Sequence, residues 1–153
     1  MFAVRLVWDK YPANGKDVFW AFMYLEKSYD TIDRHGMWQM LRVYGVGAKF
    51  LKAVQSFYID SRACVWVGND VNEWFPVNIG LRQVCVMSPW LFNVYMDGVV
   101  REVNVRELGN GLKLLSANGG RLEIHQLLFA DDTAHVADSE EKLCRLVSEF
   151  GRV

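Results

Sequence analysis

The sequence lacks a surplus of basic residues. Its 17 Lys and Arg are matched by 18 Asp and Glu, which leaves a formal net charge of −1 over 153 residues. A protein that grips a nucleic-acid backbone by itself usually carries a basic surplus, because neutralising phosphates supplies most of the binding energy. The balance therefore argues against a stand-alone nucleic-acid clamp. It does not argue against a catalytic core whose basic parts lie elsewhere.

Paired cysteines, a secretory signal and long apolar runs are also missing. Cys64, Cys85 and Cys144 form an odd set without a CxxC pair, a pattern typical of reduced intracellular thiols and not of a disulfide framework or a zinc site. The apolar run at the N-terminus is too short for a signal peptide, and no stretch reaches the length of a membrane span. We therefore expect an intracellular protein, in the cytoplasm or the nucleus, without a membrane partner.

The chain is instead rich in apolar side chains, with 52% hydrophobic and 14% aromatic residues. This composition excludes a disordered or fibrous class, and the length suits one domain. The order of apolar patterns and turn signals predicts an α+β fold with a mostly antiparallel sheet packed on helices. The expected elements are a helix over 1–11, a buried central strand over 17–25, helices over 34–44 and 48–58, a hairpin over 62–77, an irregular segment over 80–88, a helix over 90–105, a second hairpin with strands over 113–115 and 121–128, a strand over 133–137 and a last helix.

Local signals refine three of these helices. Asp33 and Ser139 are expected N-caps, because their side chains can accept from the free amides of a first helical turn. The helix over 48–58 is expected to bury the face that carries Phe50, Leu51, Val54 and Phe57.

Three segments carry candidate chemistry. Asp131 and Asp132 stand between apolar strand residues, where two acids are unfavourable unless the turn is solvated or they bind a metal. The dipeptide alone is more typical of an ordinary acidic hairpin turn, since short motifs recur by chance. Taken alone, residues 80–93 could be a loop that enters an apolar helix. Residues 25–33 could likewise be a strand-to-helix turn with solvated charges.

Together, in their order and spacing, these segments resemble the reverse transcriptase domain of non-LTR, LINE-type retrotransposons. Leu-Glu-Lys-Ser-Tyr-Asp-Thr-Ile-Asp at 25–33, with the residue before it, is similar to D-x-x-K-A-[FY]-D. Gly-Leu-Arg-Gln-Val-Cys-Val-Met-Ser-Pro at 80–89 is similar to R-Q-G-x-x-x-S-P, and Phe-Ala-Asp-Asp at 129–132 to [FY]-A-D-D. The particular residues in these three blocks favour the LINE type over group II intron enzymes and viral RNA-dependent polymerases.

The resemblance covers essentially the whole chain and implies a right-hand polymerase palm with part of the fingers. Residues 1–153 are expected to be a partial reverse transcriptase domain, from the first metal-binding strand through the Asp-Asp hairpin. The upstream fingers segments and the thumb are expected to be absent. The family activity is template-directed addition of dNTPs to a primer 3′-hydroxyl, so the implied partners are an RNA template, a DNA primer and dNTPs.

The resemblance also assigns roles to residues. It implies Asp131 as a principal ligand of two Mg²⁺ ions about 3.5–4 Å apart, with Asp132 as its neighbour. Tyr29 matches the aromatic position that packs under the deoxyribose and excludes a 2′-hydroxyl, although a core aromatic would look the same. Arg82 and Gln83 match the block that contacts template and incoming nucleotide. Lys27 matches a family lysine to which we assign no role.

Two departures from the family pattern point to an inactive copy. Tyr24 occupies the position of the first metal-binding aspartate, and a phenol is protonated at neutral pH and offers no negative oxygen to a hard cation. Losing roughly 4 kcal/mol of metal stabilisation would slow the reaction about a thousandfold. Val84 replaces the glycine of R-Q-G, which would strain the backbone if that position needs a positive φ. The alternatives are a catalytically dead module that binds RNA or protein, and an unselected remnant of a decayed element.

Overall fold

The computed structural model describes residues 2–11, 17–107, 109–115 and 120–152. Its helices and strands confirm the predicted α+β class with antiparallel pairing. In chain order they are α1 (Phe2–Lys10), β1 (Phe19–Tyr24), α2 (Ser28–Thr31), α3 (Arg34–Val43), α4 (Ala48–Ser56), β2 (Arg62–Ala63), β3 (Trp66–Val67), β4 (Asp70–Val71), β5 (Phe75–Pro76), α5 (Ser88–Arg106), β6 (Leu112–Leu115), β7 (Arg121–Ile124), β8 (Gln126–Phe129), β9 (Asp132–Ala137) and α6 (Glu140–Phe150). The turn expected over 116–120, between the strands of the second predicted hairpin, lies outside the described residues except for Gly120.

The chain folds as two compact units. The first unit contains Met1–Glu26 and Asp97–Val153, and the second unit contains Lys27–Met96. Helix α5 contributes residues to both, because the division falls within it. Among the described residues, no helix combines the length and apolar character needed to cross a membrane.

The sheet of the first unit has the strand order β1-β9-β8, with both pairs antiparallel. The prediction of a buried central strand over 17–25 is therefore wrong. In the described part of the chain β1 is an edge strand, and its residues Phe22 and Tyr24 are 70% and 68% exposed. The central strand is β9, which is buried from Thr133 to Ala137. The single strand expected over 121–128 is also wrong, because β7 pairs with β6 and β8 pairs with β9.

The two faces of this sheet are covered differently. On one face α6 packs against β1 and β9, and the Phe150 ring lies 4.8 Å from the His135 ring. On the other face Trp20 packs against a core of Val7, Tyr11, Leu112 and Val136, which α1 and β6 help to form. Successive strand residues point to opposite faces, so Phe22 and Tyr24 lie on the Trp20 face, beyond this core. In the described part of the first unit, that face is consequently exposed at the Tyr24 end of β1.

The second unit begins with short helices and continues into two small antiparallel ladders, β2 with β5 and β3 with β4. The hairpin predicted over 62–77 is confirmed, although its strands are interrupted. Helix α4 buries Leu51 and Val54 as expected. The rest of that expected face is wrong, because Phe50 and Phe57 are 65% and 52% exposed. Helical spacing places side chains on a face but does not determine how much of it a neighbour covers.

Both predicted N-caps are confirmed. The Asp33 carboxylate accepts from the amides of His35 and Gly36 at 3.1 and 2.8 Å. The Ser139 hydroxyl accepts from the amide of Lys142 at 3.4 Å. These caps fix where α3 and α6 begin, because each satisfies amides that have no partner inside the helix.

Candidate functional site

The Asp-Asp segment forms the tip of the β8–β9 hairpin. Phe129 pairs with Asp132, which leaves Ala130 and Asp131 as a two-residue turn. Ala130 has φ +54°, a left-handed conformation that is uncommon for a residue with a Cβ and concentrates at functional sites. Asp131 is half-buried and Asp132 is exposed. In the described part of the chain, neither carboxylate makes an ion pair or hydrogen bond with another side chain.

Tyr24 lies directly opposite Asp132. The two residues are Cα partners in the β1–β9 ladder, and the next amide of β1, that of Leu25, donates to the carbonyl of Asp131 at 3.4 Å. Side chains in such a pair leave the sheet on the same face, with Cβ atoms about 4.5–5.5 Å apart. A short acidic side chain at the position of Tyr24 would therefore be close enough to bind the same metal ion as the Asp-Asp turn.

The donor set at this turn does not fit a two-magnesium centre. Magnesium prefers carboxylate oxygens in near-ideal octahedral geometry, and this part of the first unit offers Asp131 and Asp132 with a phenol opposite them. Within the described residues, no three His, Cys, Asp or Glu side chains are grouped so that they could hold a metal ion. The turn thus presents two carboxylates, with the phenol of Tyr24 in the paired position on β1.

An open cleft of about 500 Å³ borders the same residues. Its lining is mostly apolar and aromatic and includes Phe22, Tyr24, Phe129 and Ala134, and among the described lining residues Asp132 is the one with a charged side chain. Phe129 is 80% exposed, like the neighbouring aromatics on β1. The surface around the Asp-Asp turn is therefore apolar rather than charged.

The second unit brings together two of the motif segments found in the sequence. The amide of Leu81 donates to the carbonyl of Tyr29 at 2.7 Å, and the Gln83 side-chain amide donates to the Asp30 carboxylate at 3.0 Å. Gly80 has φ +77°, and a Cβ there would lie 2.6 Å from the Asp30 carbonyl oxygen. Only glycine fits this close approach. The result is that Tyr29 and Gln83 lie on adjoining segments.

The side chains assigned by resemblance differ in their surroundings. Tyr29 is half-buried and stacks on Phe92 with ring centroids 4.6 Å apart, so it packs as a core aromatic at least in part. Arg82 and Gln83 are exposed. The Arg82 carbonyl accepts from the buried Ser88 hydroxyl at 2.6 Å, which ties this block to the start of α5.

Val84 has the strained backbone that the sequence indicated for this position. Its φ is +56°, and its side chain is fully exposed. A left-handed conformation costs an L-residue about 1–2 kcal/mol, and no packing contact offsets it here. Glycine would adopt this conformation without strain. The R-Q-G pattern is thus broken at a residue whose geometry favours glycine.

Sequence reasoning did not identify Arg34 and gave no role to Lys27. The Arg34 guanidinium donates to three backbone carbonyls, those of Val77, Ile79 and Gly80, at 2.9, 3.0 and 2.8 Å. Lys27 has φ +52°, and its carbonyl accepts from the amides of Asp30 and Thr31. No sequence signal could have revealed the Arg34 contacts, because carbonyl partners carry no residue identity.

Comparison with known proteins decides the family. Residues 6–152 match the family model for reverse transcriptase (RNA-dependent DNA polymerase). The chain belongs to the reverse transcriptase family. It is 23% identical over 116 residues to the retrovirus-related Pol polyprotein from type-1 retrotransposable element R2 of Popillia japonica, and 26% identical over 132 residues to the protein of the same description from Nasonia vitripennis. These matches cover 76% and 84% of the chain but only 18% and 12% of the relatives.

The prediction of a reverse transcriptase domain of a non-LTR element is confirmed by these matches. The reverse transcriptase motifs occupy both units, with the Asp-Asp turn in the first and the Arg-Gln block in the second. The individual roles of Asp131, Asp132, Tyr29, Arg82 and Gln83 stay predictions.

Proposed function

We propose that this chain is a catalytically inactive part of a non-LTR reverse transcriptase domain. The family reaction would add dNTPs to a primer 3′-hydroxyl on an RNA template, and Asp131 and Asp132 would be the remaining acidic ligands for Mg²⁺. Tyr29, Arg82 and Gln83 would contact nucleotide and template. We place this function inside the cell, where RNA and dNTPs are available. Because the chain spans less than a fifth of the polyproteins it matches, the activity of any whole protein belongs to this proposal as well.

The pairing of Tyr24 with Asp132 carries the proposal. A metal ion at this turn would be held best by carboxylate oxygens from both strands, and β1 supplies the phenol of Tyr24 in place of a carboxylate. The phenol is also larger than a carboxylate and lines the apolar cleft beside the turn. Both the missing carboxylate charge and the larger size of the phenol therefore oppose metal binding at this turn. The strained, non-glycine Val84 supports the same conclusion from the second unit.

Restoring the carboxylate tests this account. We expect Tyr24→Asp to bind Mn²⁺ at least about tenfold more tightly than the unmodified chain, because affinity for hard cations rises with the number of charged ligands. Mn²⁺ binding can be followed by the loss of its free electron paramagnetic resonance signal. Phe22→Asp is the matched control, since Phe22 lies on the same strand and face but pairs with Ala134.

The control variant should gain little affinity. Equal affinity for Tyr24→Asp and the unmodified chain would contradict the proposed role of position 24. An equal gain in both variants would mean that added negative charge alone attracts the metal, and that no defined site exists at the turn.

A second candidate is a module that binds nucleic acid without catalysis. The observation that favours it is the intact Arg-Gln block of the second unit, where Gln83 is bonded to Asp30 and the Arg82 carbonyl is held by Ser88. Contacts of this kind fix the backbone that carries the exposed side chains, and a preorganised backbone loses less entropy when a ligand binds. Binding of an RNA–DNA duplex that weakens in Arg82→Ala would support this candidate.

A further inference from the structure

The guanidinium of Arg34 makes three hydrogen bonds to one backbone segment of the second unit. Its three nitrogens each donate to a different carbonyl within the short segment from Val77 to Gly80, at distances of 2.8–3.0 Å. The same group lies over the Tyr58 ring, with its central carbon 4.9 Å from the ring centroid. A planar fork with donors in fixed directions can serve three carbonyls at once, whereas a lysine ammonium acts as a compact point charge. The side chain thus fixes the path of the backbone and not merely the local charge.

This segment leads directly into the block assigned to template and nucleotide contacts. Gly80 donates to the carbonyl of Ile32 at 2.9 Å and Leu81 to that of Tyr29 at 2.7 Å. Gly80 also has the positive φ that brings it against Asp30. Arg34 follows the Asp33 cap at the start of α3, so the helix carries the guanidinium on a rigid base.

We propose that Arg34 is a positioning residue for this block. Through its contacts with the backbone, it places Arg82 and Gln83 beside Tyr29. The inference rests on the proposed nucleic-acid contacts of that block. Arg34 itself does not touch substrate in this account. Its guanidinium holds the carbonyls of Val77, Ile79 and Gly80. The amides of Gly80 and Leu81 at the end of this segment then bond to the carbonyls of Ile32 and Tyr29.

Chemical rescue separates this role from a general contribution to folding. Arg34→Ala removes the guanidinium, and free methylguanidinium can occupy the space left between Tyr58 and the carbonyls. The first readout is hydrogen exchange at the amides of Gly80 and Leu81, which we expect to become roughly tenfold faster in the variant. The second is affinity for a fluorescent RNA–DNA primer-template, which should fall by a similar factor. Both should recover with methylguanidinium but not with methylammonium at equal ionic strength.

Three further variants complete the test. Arg42→Ala, on the exposed side of the same helix, should change neither readout. Arg34→Lys keeps the charge, and should still lose the protection of Gly80 and Leu81 because a compact ammonium lacks the spread, planar donors with which the three guanidinium nitrogens reach three separate carbonyls. Arg82→Ala should weaken primer-template binding without altering the exchange of those amides.

The outcomes are distinct. Unchanged exchange in both Arg34 variants overturns the positioning role, whatever the binding result. The positioning role is also overturned if the Arg34 variants lose the protection of Gly80 and Leu81 but keep their affinity for the primer-template, while Arg82→Ala weakens that affinity. The segment would then not place the contact residues. No binding by the unmodified chain, or no effect of Arg82→Ala, would refute the proposed nucleic-acid contacts. The exchange data would then still decide whether Arg34 sets the path of the segment.

Discussion

A complete reverse transcriptase of this family should lose about a thousandfold or more of its DNA synthesis rate when the aspartate aligned with Tyr24 is replaced by tyrosine. The reason is the loss of one metal ligand, since metal polarisation is worth several kcal/mol and roughly 4 kcal/mol corresponds to a thousandfold in rate. The measurement is single-nucleotide incorporation under pre-steady-state conditions with Mg²⁺.

The corresponding asparagine variant separates charge from size. Asparagine keeps nearly the shape of aspartate, so a similar loss in both variants assigns the effect to the missing charge. A much larger loss for tyrosine assigns part of it to the bulk of the ring beside the Asp-Asp turn. A tyrosine variant within tenfold of the unmodified rate would mean that Tyr24 is not at the ligand position. The β1–β9 register would then have no catalytic meaning.

The second large effect concerns His135 and the pH dependence of stability. His135 is completely buried on β9, and burial lowers its pKa to about 4. Its Nε2 lies 3.3 Å from the Thr133 hydroxyl, and its Nδ1 has no hydrogen-bond partner among the described residues. The unfolded chain exposes this histidine, whose pKa then returns to about 6.5. Below pH 6.5 the unfolded state therefore binds a proton that the folded state does not.

Linkage gives the sign and the size of the effect. The contribution of neutral His135 to the free energy of unfolding is fully present above pH 6.5 and is lost as the pH falls from 6.5 towards 4, by about 3 kcal/mol in total. Urea unfolding followed by tryptophan fluorescence at several pH values measures it. His135→Leu should flatten the dependence across this window, whereas His35→Gln, at an exposed position on α3, should leave it unchanged. Parallel curves for His135→Leu and the unmodified chain would contradict the burial of a neutral imidazole.

Local features of the fold could be predicted from the sequence because their causes are local. The Asp33 cap and the start of α3 depend on residues within one helical turn. The exposure of Phe50 could not be predicted, because it depends on which neighbour covers α4. The edge position of β1 was missed for a similar reason. A continuous apolar run indicates a strand but not its place in the sheet.

The candidate site likewise has features that could be predicted from the sequence and features that could not. The position of Tyr24 followed from counting along the family motif, and the structure pairs it with Asp132, more than a hundred residues later in the chain. The strain at Val84 followed from the loss of a glycine. The role of Arg34 could not be found this way, since its partners are carbonyls 43 to 46 residues further on. Backbone acceptors have no sequence signature, so only coordinates reveal such a contact.

Primer extension by the purified chain decides whether it can synthesise DNA. The reaction contains an RNA template, a DNA primer, dNTPs and Mg²⁺, and Asp131→Asn is assayed beside the unmodified chain as the background. We predict that both give the same signal, because Tyr24 presents a phenol and not a carboxylate opposite Asp132. Incorporation by the unmodified chain that Asp131→Asn abolishes would contradict the account, and would show that Tyr24 does not prevent catalysis.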